Sequence, residues 1–370
     1  MTNTTGKDKL IIGRQLSKAR ELLQLPNERV ASVLGVSPKD ILDWEQERSQ
    51  PSLKQLEKLA DIYGRGIDYF LKETPIPPRD IELRGKPRQS FPDLPEEART
   101  VLARFDELCR IALEVEGLLG KKRKVTLHRF NEAFSPQDVA EDIRRRLEVG
   151  NHPLANLRER LEREGIRIFE LPVPNGTFSG FSFWHTEYGP CILLDANDPK
   201  GRRNFTLAHE LAHLIYGHKS SLCYISLTLG DLSGDKELRA NQVAVELLLP
   251  SHGIRDEFLR KAFTSTPSEK QLGQIATKWG VSIQALGYRL ENLGLVKRGH
   301  TDTIVELRPK FLKRPRTPKW ERQLGKQFVD TTIEAHERGL ISAGRVAEGF
   351  GITVRKAMEE IDRRRGKSLN

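Results

Sequence analysis

Apolar residues recur at three- and four-residue intervals along most of the chain, the period of one face of an α-helix. Val30, Leu34, Ile41 and Trp44 form one such set. Leu102, Phe105, Leu108, Ala112, Val115 and Leu119 form another, which predicts a long amphipathic helix from Glu96 to Leu119. Strand-like runs occur in one region only, and strands are predicted at Ile166 to Leu171, Phe178 to Phe183 and Cys191 to Asp195. A short Asn/Asp/Pro/Gly loop then leads into a helical stretch, Phe205 to Tyr216, whose small Ala208 and Ala212 suit burial under a cleft. Cys191 to Asp195 is accordingly the strand expected at the cleft rim, where an extended peptide adds as a further strand. Beyond Pro250 the chain stays helical.

The chemistry of the chain concentrates in His209-Glu-Leu-Ala-His213. Residues four apart share a helix face, so both imidazoles reach one cation. Glu210 stands beside that cation as a candidate base for a water attacking a peptide carbonyl. Three specified positions in five residues also arise by chance, so the surroundings decide. A tetrahedral site needs a third protein ligand. The long-spaced metzincin pattern would require a histidine where Lys219 stands, which excludes it. Glu237, in Glu237-Leu-Arg-Ala-Asn241, supplies a carboxylate, and Asn241 one turn later can hold a ligand histidine from behind. Zinc is the expected metal for two histidines, one glutamate and water.

Residues from about Val139 to Pro250 resemble the ImmA/IrrE metallopeptidases. The segments that carry the likeness are Pro153-Leu-Ala-Asn-Leu157, Ile166-Arg-Ile-Phe169, Phe205 to His213, and Glu237 to Pro250. The resemblance implies His209, His213 and Glu237 as ligands, Glu210 as general base, and a repressor-like regulatory protein as substrate. Glu246 falls in the same stretch and reads as a capping or salt-bridging carboxylate rather than a ligand. His218 is a candidate oxyanion stabiliser, or else a surface histidine after Gly217.

The segment from Ile11 to Leu71 resembles the XRE/Cro-type helix-turn-helix, through Gly13 to Arg20, Val30 to Ser37, Ile41 to Glu45 and Pro51 to Ala60. Ala31 is small where two helices cross, Gly35 permits the turn between them, and Ser37 can cap the second. That second helix, about Pro38 to Gln46, would enter the major groove. Asn27, Lys39, Gln46, Arg48 and Gln50 are the expected DNA contacts, whereas Asp40 and Asp43 oppose phosphate unless they accept from cytosine. A helical domain of the same shape that binds protein is the alternative.

A formal charge of +10 over 370 residues fits a polyanionic partner, and three scattered cysteines exclude a disulfide framework. No apolar run reaches membrane-spanning length and no signal peptide opens the chain, which points to the cytoplasm. The expected order is a helix-turn-helix domain at 8–73, a Pro/Arg-rich linker at 74–95, a helical connector at 96–138, a peptidase domain at 139–298 and a basic helical region at 299–370. From Thr301 onward sixteen Lys and Arg face ten Asp and Glu. The Gly-turn, Val-Ser phrase of the first domain recurs at Leu272 to Ser282 and, modified, at Gly344 to Thr353, either as helix-turn-helix modules or as packing. The fold class expected is mainly α, with a small α+β zincin-like peptidase domain, an N-terminal all-α helix-turn-helix domain and a helical C-terminal region.

Two functions follow. In one, a DNA-bound zinc endopeptidase, active or latent, cleaves another regulator and pairs as a homodimer on its operator. In the other, the peptidase-like domain is a non-catalytic sensor or partner-binding scaffold, for example in a toxin-antitoxin operon.

Overall fold

The computed structural model describes residues 7–71, 82–83, 94–121, 123–218, 221–223, 235–263, 266–306 and 319–368. They fall into two compact units. The first draws on segments 1–81, 89–122 and 326–370, the second on 82–88 and 123–325. Most of the linker expected at 74–95 lies outside the described residues.

The first unit opens with α1 (Lys7–Leu22), α2 (Asn27–Leu34), α3 (Pro38–Glu45), α4 (Leu53–Tyr63) and α5 (Ile67–Leu71). Val30, Ala31, Leu34, Ile41 and Trp44 are buried together, as their helical spacing predicts. Gly35 takes the left-handed conformation (φ 72°) that ends α2, a backbone state costly for residues with a Cβ. Ser37 caps α3, accepting from the Asp40 amide while Asp40 accepts from the Ser37 amide. The helix α6 (Glu96–Leu118) packs in this unit against α4. Gly64 makes the approach possible, because a Cβ there would lie 2.7 Å from the Thr100 carbonyl oxygen. Arg65 and Asp106 form a buried ion pair at 2.7 Å beneath it.

The second unit holds a sheet in the order β1-β5-β3-β4-β2. Its three main strands are β2 (Arg167–Leu171), β3 (Gly180–His185) and β4 (Gly189–Asp195); β1 (Glu82–Leu83) and β5 (Ser221–Cys223) are short. β4 runs parallel to β2 and antiparallel to β3, and β5 pairs with β3 over Gly180–Ser182. The rim position expected for Cys191 to Asp195 is therefore wrong. That strand has a partner on each side, and its unbroken apolar run is the signature of an interior strand.

Helices α7 (Pro136–Arg146), α8 (Leu157–Arg163), α9 (Lys200–Ile215) and α10 (Asp235–Leu248) surround the sheet, with α9 packed on β3 and β4 and α10 packed on both α7 and α9. Buried Arg144 ties α7 to its surroundings by donating to the carbonyls of Gly150, His152 and Leu247. Burial pushes its guanidinium down to about 10. The unit continues through α11 (Ser251–Arg260), α12 (Glu269–Trp279), α13 (Ile283–Asn292), α14 (His300–Glu306) and α15 (Trp320–Leu324). The region expected at 299–370 thus divides. Its remaining helices, α16 (Lys326–Glu337), α17 (Ala343–Phe350) and α18 (Val354–Ser368), belong to the first unit, where α16 packs on α6. The connector expected at 96–138 divides likewise between α6 and α7. Among the described residues no helix is long and apolar enough to cross a membrane.

Candidate metal centre

The helix α9 presents His209 and His213 one turn apart on its buried face, 1% and 3% exposed. Their Nε2 atoms are 2.9 Å apart. From α10, Glu237 brings one carboxylate oxygen to 3.2 Å from His209 Nε2 and the other to 3.3 Å from His213 Nε2. These are the separations that a cation bonded at about 2.0–2.1 Å to three tetrahedral positions would impose, so the donor set fits zinc. Among the described residues, His209, His213 and Glu237 form the group able to hold a metal ion.

Electrostatics within the cluster favour a cation. Burial alone would raise the Glu237 carboxyl, but hydrogen bonds from both imidazoles outweigh it and hold the group well below the usual carboxylate range. Burial would lower His209, yet the Glu237 hydrogen bond and the nearby charge of Glu210 raise it instead. A divalent ion would take the place of the proton shared in this cluster.

Each histidine is held from behind. The Asn241 side-chain oxygen lies 2.8 Å from His209 Nδ1, so that nitrogen carries the hydrogen and Nε2 keeps its lone pair. His218 Nδ1 lies 2.8 Å from His213 Nδ1, and its Nε2 is 3.5 Å from a Glu132 carboxylate oxygen. This position does not suit the expected oxyanion role, because His218 touches the nitrogen of His213 that faces away from the donor cluster. It holds the His213 ring in place. Glu246 pairs with Arg289 at 2.6 Å, as a salt-bridging carboxylate.

Glu210 is 1% exposed and points toward β3, where the Ser182 hydroxyl donates to its Oε2 at 2.6 Å. A Cβ at Gly180 would fall 2.9 Å from Glu210 Oε1 and 2.5 Å from Thr206 Cγ2, so the strand can lie this close only with glycine there. Neither residue stands out in the sequence as a functional one. The available signal is the alternation of small Gly180 and Ser182 with Phe181 and Phe183 along one strand.

In the first unit Lys39, Gln46, Arg48 and Gln50 lie on and after α3, and Asn27 lies at the start of α2. Arg48 pairs with Asp43 at 3.2 Å. Asp40 is engaged by the Ser37 hydroxyl and amide, which hold its carboxyl below the ordinary range.

Residues 161–291 match the family model of the IrrE N-terminal-like domain, a peptidase family, and residues 16–70 match a helix-turn-helix model. The chain carries an IrrE-like peptidase domain and an XRE-type helix-turn-helix domain. A curated relative, the SPbeta prophage-derived uncharacterized HTH-type transcriptional regulator YonR of Bacillus subtilis (strain 168), is 33% identical over 64 residues. That match covers 17% of this chain and 59% of the relative. The IrrE-like match contains every member of the donor cluster, together with Gly180, Ser182, Glu210, His218 and Asn241. The helix-turn-helix match contains all five expected DNA contacts.

Proposed function

We propose that the IrrE-like domain is a zinc-dependent endopeptidase that cleaves another regulatory protein, and that the helix-turn-helix domain carries it to an operator. What supports the catalytic reading above all is Glu210. A scaffold that merely bound metal would need the three donors, but it would have no use for a buried carboxylate oriented beside them by Ser182.

His209 and His213 would hold zinc through Nε2 and Glu237 through its carboxylate. When bound, the ion supplies Lewis acidity, lowering the pKa of a water toward neutrality and polarising the scissile carbonyl. Glu210 accepts the proton that the attacking water loses and returns it to the departing amine nitrogen. Ser182 keeps that carboxylate aimed between the two transfers. Asn241 and His218 fix the tautomer and tilt of the two ligand rings. The buried thiols Cys109 and Cys191 suit a reducing cytoplasm. Pairing of two copies on two half-sites suits a domain of this type.

The test is zinc content and proteolysis measured on the full chain and on Glu210→Gln, incubated with co-encoded regulators with and without operator DNA. One zinc per chain and a discrete fragment, seen by intact mass only with the unaltered protein, supports the endopeptidase. Stoichiometric zinc with no fragment under any condition favours the sensor or scaffold reading.

A further inference from the structure

We infer that α18 is a second DNA-contacting helix, carried on the same unit as α3 and resting its exposed basic residues on phosphate. Residues 326–368 lie outside both family matches, so neither assigns them a role.

The turn between α17 and α18 repeats the one between α2 and α3. Gly351 has φ 64° and ψ 36°, against 72° and 37° for Gly35. The amide of Ile352 donates to the Ala347 carbonyl at 3.1 Å, and that of Val36 donates to the Ala31 carbonyl at 3.1 Å. Thr353 then accepts from the Lys356 amide at 3.4 Å, as Ser37 accepts from Asp40 at 3.2 Å. Helix α16 packs on α17 and α17 on α18, giving a compact trihelical module.

A repeated turn alone does not make a DNA-binding helix, as a third copy demonstrates. Gly280, between α12 and α13, has φ 68° and ψ 29°, and Ser282 caps α13 through the Ala285 amide. There the second helix is covered: Ala285, Leu286, Gly287, Arg289 and Leu290 are buried, and a Cβ on Gly287 would strike Thr301 at 2.5 Å. That copy serves packing.

Exposure and charge set α18 apart from it. Val354 and Met358 are 48% and 53% exposed, and the Arg355 side chain is 89% exposed. Residues 354–365 hold Arg355, Lys356, Arg363, Arg364 and Arg365 against Glu359, Glu360 and Asp362. In α3 Lys39 stands alone against Asp40, Asp43 and Glu45. The N-terminal reading helix therefore has little electrostatic purchase of its own, and α18 supplies what it lacks. The Arg355–Glu359 pair, at 3.0 Å with both partners exposed, is weak enough to yield to phosphate, whereas Arg363 and Arg364 share Glu360 and Arg364 also pairs with Asp330 on α16 at 2.5 Å.

The module is anchored to the helix-turn-helix domain. Glu348 accepts from the Ile67 amide at 2.8 Å, Arg104 donates to the Gly349 carbonyl at 3.0 Å, and Arg345 pairs with Glu107 at 3.7 Å and with Glu114. These interactions engage α17, and α18 joins the module through buried Ala357 and Ile361 and the Arg364–Asp330 pair, which leaves its face of Val354, Arg355 and Met358 exposed.

The experiment measures binding of the full-length zinc-loaded protein to a labelled random-sequence duplex of about 30 base pairs, between about 50 and 200 mM salt. The Arg355→Ala, Lys356→Ala, Arg363→Ala triple variant removes three basic side chains of α18 together with the Arg355–Glu359 and Arg363–Glu360 pairs, and its melting curve checks the fold. The expected result is a log–log salt slope shallower by about 0.9 for each phosphate no longer neutralised, thus by roughly two to three, with affinity reduced tenfold or more. An unchanged slope and affinity in the folded variant would overturn the inference. So would Met358→Glu altering the solution mass by light scattering while leaving DNA affinity intact, since α18 would then face protein.

Discussion

Ser182 and Glu210, on β3 and α9, meet in a 2.6 Å hydrogen bond in which the hydroxyl donates and the carboxylate accepts. A hydrogen bond to a charged, buried group contributes about 1.5–3 kcal/mol, so this interaction restricts where the carboxylate can point. Ser182→Ala is expected to keep one zinc per chain while losing most of the fragment produced by the unaltered protein, with partial recovery in Ser182→Thr. Loss of zinc in Ser182→Ala, or undiminished cleavage, would remove the positioning role.

Asn241 holds His209 by its Nδ1, the ring nitrogen turned away from the donor cluster. Replacing it with alanine frees the His209 ring to change tautomer and tilt. Zinc affinity should fall by about 10–100-fold in a chelator competition, with the helical circular dichroism signal retained.

The residues proposed to contact DNA in the first domain give a third expectation. The Lys39→Ala, Arg48→Ala, Gln50→Ala variant should bind operator more weakly than the unaltered protein in a mobility-shift titration. Ser37→Ala, which removes the cap of α3, should instead cost about 1 kcal/mol in a denaturant midpoint measurement.

Acid stability of the first unit depends on Glu107. Burial pushes this carboxyl up, but the Arg110 hydrogen bond, with Arg65 and Arg345 nearby, outweighs it and leaves the pKa below the ordinary 4.5. A depressed folded-state value means that the stabilisation is fully present above about 4.5 and is lost as pH falls through the folded value. Glu107→Gln should therefore lower stability at neutral pH, by about 3–5 kcal/mol for a broken buried pair, and flatten the fall on acidification. Thermal melts from pH 7 to about pH 3 measure both effects.

The donor triad is legible in the sequence because its members sit at covalent spacings on two helices. His209 and His213 are four apart, as are Glu237 and Asn241, so helical geometry aligns each couple, and the likeness to the metallopeptidases is what joins the two helices. Ser182 is not legible, since its partner lies on another element and only sheet packing brings them together. The rim assignment fails for a related reason. A strand's own residues report how buried it is, not which neighbours flank it, and the unbroken apolar run of β4 speaks for an interior place that its position in the chain does not reveal. His218 is visible as a candidate, but its side relative to His213 depends on the turn at Gly217, which no periodicity encodes. The same limit hides the return of α16–α18 to the first unit, because amphipathic helices state that they need a partner without naming it.

A stop codon just after Gly325 would leave every residue of the metal cluster in place. It would nevertheless strip α6 of α16, one of the helices it packs against, and leave Glu107 and Glu114 without Arg345. Residues 326–368 thus build part of the unit that carries the helix-turn-helix domain, and a truncation there is expected to disturb that unit before it disturbs the metal cluster.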